Sequence, residues 1–375
     1  MRGRQASLQP YDRGVTLIEL MIALAIGMVL LAALTLMFMN QTKVRNELDK
    51  ANRLTDNGRY AVEILSDAIR LAGYYGEFDP STLLAPATRP DPCSTLAADI
   101  AAALPLAVQT YDAASALASV SGAPSCLLAS MIKTGSDILV IRRVDTNAVL
   151  PANAVVGTPY LQASLCQHDA IRYKLSRTPA DFVLRKKDCT EASTTPYADL
   201  RQMLVQIYFI SPYNRPGDGI PTLKRLELVP AGRSQPAGTL LPDGTVSSSA
   251  TTTAELGFIL TPLVEGIEYM QITYGIDTDA TDGQGLADSY SDAPQCPATV
   301  TSGQDCNAMA SIIEAKIHLL ARNTEPSPKY SNSRSYALGS AGTAGPFVGL
   351  EGAYKRQAFT QFVRVMNVAG RKELQ

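Results

Sequence analysis

The chain opens on an apolar block. From Val15 to Met39 it reads VTLIELMIALAIGMVLLAALTLMFM, with one charge, Glu19. As a helix this stretch spans roughly 37 Å, enough to cross a bilayer with some tilt. Past Asn40 the pattern narrows to one stripe. Val44, Leu48, Ala51, Thr55, Gly58, Val62, Leu65, Ile69 and Ala72 recur at alternating steps of four and three, which predicts a continuing amphipathic helix. Lys43–Glu47, Asp49–Arg53 and Arg59–Glu63 lie at supporting i,i+4 spacing. Asn57-Gly58 reads as a kink, and Gly73, Gly76 and Asp79-Pro80 as the helix stop. The last turns are expected to pack on the chain's own globular part.

Farther on the period changes to two. Strands are expected over Asp137–Val144, Gln202–Ile210, Leu223–Val229, Ile267–Tyr274, Ile313–Arg322 and Phe362–Met366. In the fifth, Ile313, Ala315, Ile317 and Leu319 face inward while Glu314, Lys316 and His318 face water. Such alternation argues for an antiparallel sheet with one wet face. Residues 80–130 are rich in Ala, Ser and Pro and suggest no element; 231–256, 277–309 and 323–350 read as loops, and there is no internal repeat. The fold class is therefore α+β, a long N-terminal helix packed on a C-terminal antiparallel β-sheet head.

Charge orients the helix. Arg2, Arg4 and Arg13 stand against Asp12 before the apolar run; Lys43 and Arg45, then Glu47 and Asp49, follow it. The positive excess on the short N-terminal side places that side in the cytoplasm and the rest across the membrane. Within the apolar run an A-x-A signal-peptidase pattern occurs only at Ala23-Leu24-Ala25, in its middle, where cleavage is not expected. Composition alone gives a plain uncleaved anchor. Glu19 argues for more, because a carboxylate near a bilayer centre costs about 2.5–3.5 kcal/mol on insertion scales and marks a functional position. It calls for a cation, and the run supplies none.

The string Arg13-Gly14-Val15-Thr16-Leu17-Ile18-Glu19-Leu20 resembles the cleavage and methylation motif of type IV prepilins. The resemblance implies cutting by a prepilin peptidase between Gly14 and Val15, methylation of the new N-terminus at Val15, and retention of Glu19. That family usually has Phe where this chain has Val15. A free α-amine, with an ordinary pKa of about 7.7–8.0, would then neutralise Glu19 of a neighbouring subunit. Further along, Leu71-Ala72-Gly73-Tyr74-Tyr75-Gly76, Asp137-Ile138-Leu139-Val140, Glu268–Asp277, Leu319–Asn323 and Phe362–Asn367 are similar in kind and order to PilW-type minor pilins. This resemblance implies a cytoplasmic leader over 1–14, a transmembrane and assembly helix over 15–39, an amphipathic helix over 40–76 and a periplasmic head over 77–375. It implies a single-pass inner-membrane pool with inner membrane lipid around the helix, then a place near the pilus tip. The implied partners are prepilin peptidase, other minor pilins, the major pilin and a tip adhesin. A type II secretion minor pseudopilin and an uncleaved membrane-anchored periplasmic ligand-binding module are the competing readings.

Composition adds exclusions. Hydrophobic residues are 46% and charged ones 18%, so a sizeable core is expected, and a net charge of −2 offers no field for nucleic acid. The only basic run is Arg185-Lys186-Lys187, and the two His, His168 and His318, are expected at the surface. No G-x-S-x-G, Walker A or G-x-G-x-x-G string occurs, so neither an enzyme nor a cofactor is expected. Asp277, Asp279 and Asp282 offer oxygen ligands suited to calcium, yet lack the terminal Glu of an EF-hand loop, and a solvated loop is the ordinary reading. Cys93, Cys126, Cys166, Cys189, Cys296 and Cys306 form no C-x-x-C pair, which disfavours a zinc ribbon. An even number behind a membrane segment suggests disulfides, with 15 pairings open to six Cys. Sequence order favours 93–126, 166–189 and 296–306; buried free thiols are the alternative.

Overall fold

The computed structural model describes residues 14–112, 123–190, 197–229, 257–278, 285–299, 305–339, 350 and 352–373. Its elements are helices α1 (Leu17–Leu71), α2 (Ala97–Ala102), α3 (Asn307–Ala310) and α4 (Met366–Lys372), and eleven strands. The strands are β1 (Val108–Tyr111), β2 (Ile138–Val149), β3 (Tyr160–Ala163), β4 (Tyr173–Ser176), β5 (Leu200–Ser211) and β6 (Thr222–Val229). They continue with β7 (Gly257–Glu265), β8 (Ile267–Ile276), β9 (Ser289–Ser291), β10 (Ile312–Arg322) and β11 (Arg356–Arg364). The chain divides into two units, up to Ala51 and from Asn52 on.

The first unit holds the apolar turns of α1. Its large side chains from Val15 to Met39 are exposed on all sides, and its most apolar window has a mean hydropathy of 2.7. This helix is long and apolar enough to cross a membrane. Its hydroxyls are satisfied internally: Thr35 Oγ1 donates to Leu31 O (2.7 Å) and Thr42 Oγ1 to Phe38 O (3.0 Å). That is the arrangement an apolar solvent demands, since no water is there to take the proton.

In the second unit α1 buries Leu54, Gly58, Ala61, Leu65, Ala68 and Ile69. The stripe has the expected spacing, set one residue earlier at Leu54 and Ala61 than at Thr55 and Val62. The predicted kink is absent, and the helix runs through Asn57-Gly58. Gly58 is there for space: a Cβ on it would lie 2.1 Å from Cε2 of the Phe359 ring in β11. The helix ends in Gly73 and Gly76, both at positive φ (72° and 64°). Its last carbonyls are held from α4, by Asn367 Nδ2 to Arg70 O (3.2 Å) and Ala72 O (3.1 Å), and Arg371 donates to Gly73 O (3.1 Å).

All strand pairs are antiparallel, in two sheets. The larger runs β1-β2-β5-β3-β4, with β6 on β5 and β7 on β6; the smaller runs β11-β10-β8-β9. One core joins the α1 stripe to Leu139, Ile141 and Ile210 of the larger sheet and Met270, Ile272, Ile317 and Leu319 of the smaller. A second core lies on the other face of the larger sheet, where Tyr75, Phe78, Leu104 and Met131 cover Val140, Val205, Ile207 and Phe209. The expectation of one wet face therefore fails for the larger sheet. Residues 74–106 and 123–131, largely within the 80–130 stretch that suggested no element, are its lid, and β2 and β5 are buried on both faces.

Two other expectations are corrected. The closing strand begins at Arg356 and ends at Arg364, and Met366 already belongs to α4. His318 is buried, 7% exposed. It sits between Gln271 and Thr360 across the sheet, with Nδ1 3.2 Å from Thr360 Oγ1. The segment ending at Gly339 lies over that face, where a Cβ on Gly339 would stand 3.8 Å from Gln271 Cβ. Desolvation pushes the imidazole pKa down; Lys316 adds to this and Asp292 opposes it.

Gly58→Ala should overpack the Phe359 ring and destabilise the protein by about 1–3 kcal/mol, read from the urea unfolding midpoint. Phe359→Ala in the same chain should remove most of that penalty. His318 makes a pH prediction. Its folded pKa lies below the unfolded value of about 6.5, so as pH falls through that value the unfolded chain takes up the proton first. Stability present above about pH 6.5 should thus decline as pH drops towards the folded pKa, and His318→Gln should flatten this segment of the stability–pH curve.

Candidate functional site

Gly14, Val15 and Thr16 lead directly into α1, and all three are exposed. A Cβ on Gly14 would meet nothing within 4 Å. The fold thus sets no steric demand for glycine here, and a requirement for it must come from something that approaches this backbone. Thr16 is the N-cap of α1 and Glu19 its third helical residue. Thr16 N–H and Oγ1 donate to Glu19 Oε2 (3.1 and 2.9 Å), and Glu19 N–H donates to Thr16 Oγ1 (3.4 Å). Leu20 N–H to Thr16 O (3.1 Å) is the first bond of the helix. This is a capping box, which satisfies amide groups at a helix start reciprocally. The expectation that Glu19 needs a cation is therefore incomplete, since its own helix entrance supplies hydrogen bonds. Thr16 is the site residue that the sequence reading passed over, although T-x-x-E before an apolar run is its direct signature.

The structure pairs Cys93 with Cys126, Cys166 with Cys189 and Cys296 with Cys306. Each bridge staples irregular backbone. Asp91 Oδ1 accepts from Cys93 N–H (3.0 Å) and Ser125 N–H (3.3 Å) beside the first. Asp169 and Arg185, 2.6 Å apart, brace the second. Beside the third, Arg89 N–H donates to Pro297 O (2.7 Å) and Cys306 N–H to Pro86 O (3.1 Å). Closing loops of 10 to 33 residues typically contributes about 2–4 kcal/mol per bridge.

The remaining candidates do not assemble. Asp277 is buried with Lys372 Nζ 3.2 Å from its Oδ1, so a cation already faces that carboxylate. The ammonium aligns its hydrogen bond on the Asp277 carbonyl (2.5 Å). Asp279 and Asp282 lie outside the described residues, and among the described residues no three His, Cys, Asp or Glu are grouped to hold a metal. The basic run is offset by acids: Arg185 pairs with Asp169 and Lys186 with Asp199 (3.6 Å). His168 is exposed.

Comparison with known families gives two matches. Residues 10–35 match the prokaryotic N-terminal methylation motif, and residues 208–367 match type IV pilus-assembly protein W. No curated protein matches the chain. Among solved structures, a type IV-like pilin from Thermus thermophilus aligns at 9% identity with a TM-score of 0.31, covering 85% of this chain and 96% of that one. The methylation motif falls on the capped entrance of α1, and the second match begins in β5 and ends in α4. The entrance of α1 is thus similar to a prokaryotic N-terminal methylation motif. Residues 208–367 are similar to type IV pilus-assembly protein W and lie within the α+β fold described above.

Thr16→Ala should loosen the entrance of α1 by about 0.5–2 kcal/mol. Amide exchange at residues 17–19 of the full chain in detergent should speed up accordingly, while exchange beyond Leu24 stays unchanged.

Proposed function

We propose that the chain is a minor pilin precursor that primes type IV pilus assembly. Prepilin peptidase cuts between Gly14 and Val15, Val15 is methylated, and residues 15–39 hold the protein in the inner membrane with the head in the periplasm. The subunit then enters the fibre near its tip, beside other minor pilins, the major pilin and a tip adhesin. Residues 1–14 act as leader, and 40–76 carry the helix into the head over 77–375.

The observation that carries this reading is the helix entrance. An unobstructed Gly14 stands two residues before a capping box whose acid is the single charge between Val15 and Met39. Cleavage creates an α-amine one residue before Thr16. Glu19 can then exchange its Thr16 bonds for the amine of a neighbouring subunit when apolar helices bundle. An unpaired carboxylate in that bundle costs roughly 3–5 kcal/mol, which makes the pair a register check.

Gly14→Val should leave full-length precursor in the membrane and none in sheared pili. Glu19→Val should be inserted and cut normally but fall at least tenfold in co-purification with other pilins. Normal incorporation of Glu19→Val at normal membrane abundance would show that the acid is not an assembly contact.

A further inference from the structure

Among the described residues, the strand β11 has an open edge. It pairs with β10 along its whole length, Arg356 with Arg322 through Arg364 with Glu314, and is terminal in its sheet. Val365 N–H donates to Ile313 O (2.7 Å) and Asn323 N–H to Lys355 O (3.0 Å), so the odd-numbered residues turn their backbone groups towards β10. Antiparallel alternation sends those of Ala358, Thr360 and Phe362 outward, and all three residues are exposed. Among the described residues, the one hydrogen bond to these outward groups is from Gln361 Nε2 to Phe362 O (3.0 Å).

The other sheet edges are blunted. The strands β1 and β4 have four residues each and β9 has three, while β7 carries Pro262 and Glu265. By contrast Gln357-Ala358-Phe359-Thr360-Gln361-Phe362-Val363 contains no charge, proline or glycine. A long uncharged edge of this kind templates further pairing unless something covers it. Beside it, α1 and β11 enclose a cleft of about 350 Å³ lined by Arg59, Val62, Glu63, Arg70 and Phe359, with room for side chains of an added strand.

We propose that β11 is an assembly surface that receives an extended segment of another pilin-class subunit by strand addition. The proposal rests on the pilin reading above. The incoming segment is uncharged where it faces Ala358–Phe362, and a carboxylate on it meets Arg59 at the cleft. A second copy of this chain is the competing occupant that the test must separate: two β11 strands paired about Thr360 would set Arg356, held by Glu268, opposite Arg364, held by Glu373.

The test is residue-resolved hydrogen exchange on the full chain in detergent, alone and co-purified with pilin-class subunits identified by their own methylation motifs. The amides of Ala358, Thr360 and Phe362 should slow at least tenfold in the complex, while those of Phe359 and Gln361 are already slow in the free chain. Ala358→Pro removes one outward donor without touching the β10 ladder, and should lower recovery of the partner at least tenfold at an unchanged unfolding midpoint. Ala358→Lys, which blunts the edge by charge, should do the same if the proline variant does not fold. Unchanged exchange at these three amides in a complex that does form overturns the edge and leaves the pilin reading standing. Concentration-dependent protection in the chain alone overturns the choice of occupant. Absence of any pilin-class partner for the natural chain overturns both readings.

Discussion

The buried stripe of α1 is narrow and built partly of small residues, with Gly58, Ala61 and Ala68 between Leu54, Leu65 and Ile69. That geometry sets how closely the smaller sheet can approach the helix. Phe359 occupies the space that a side chain at position 58 would need, and Leu65 and Ile69 are fully buried. Each such burial contributes about 1.5–3 kcal/mol. The helix end is tied down in the same way, by side chains of α4 that reach its last carbonyls. The C-terminal residues thus fix where the helix stops, which the glycines at 73 and 76 only permit.

Charge inside the head is handled by pairing. Glu268 is buried and receives Arg356 at 2.6 and 3.1 Å, with Arg322 at 3.8 Å. Arg142, fully buried, donates to Leu106 O (3.1 Å) and Gln109 Oε1 (2.6 Å), and burial lowers its pKa. Its own carbonyl accepts from Gly73 N–H (2.9 Å), so this arginine links the exit of α1 to β2. The same rule operates at the other end of α1, where Glu19 is held by Thr16. A charge is tolerated in an apolar setting only when its bonding groups are satisfied.

The membrane-length helix, its stripe and the core face of β10 were legible because each follows one period over many residues. What escaped the sequence did so for physical reasons. Alternation in β10 assigns His318 to the wet side, but it cannot register that residues before Gly339 return over that face. Gly58 carries the same letter whether it bends a helix or admits a ring, and only Phe359, some 300 residues away, decides. The lid segments 74–106 and 123–131 have no period to read because they are held by turns, short helices and a disulfide. Thr16-x-x-Glu19 is legible in full, as capping-box spacing directly ahead of an apolar run. The Gly14–Glu19 constellation needed no tertiary information, since it is presented before the fold begins.

The proposed role of this helix entrance in processing and assembly is tested most directly by the mass of the protein's N-terminal peptide. Purified from its own membranes, the chain should begin at Val15 and carry one added methyl group. A chain that begins at Met1, intact and stable in the membrane, would contradict the account.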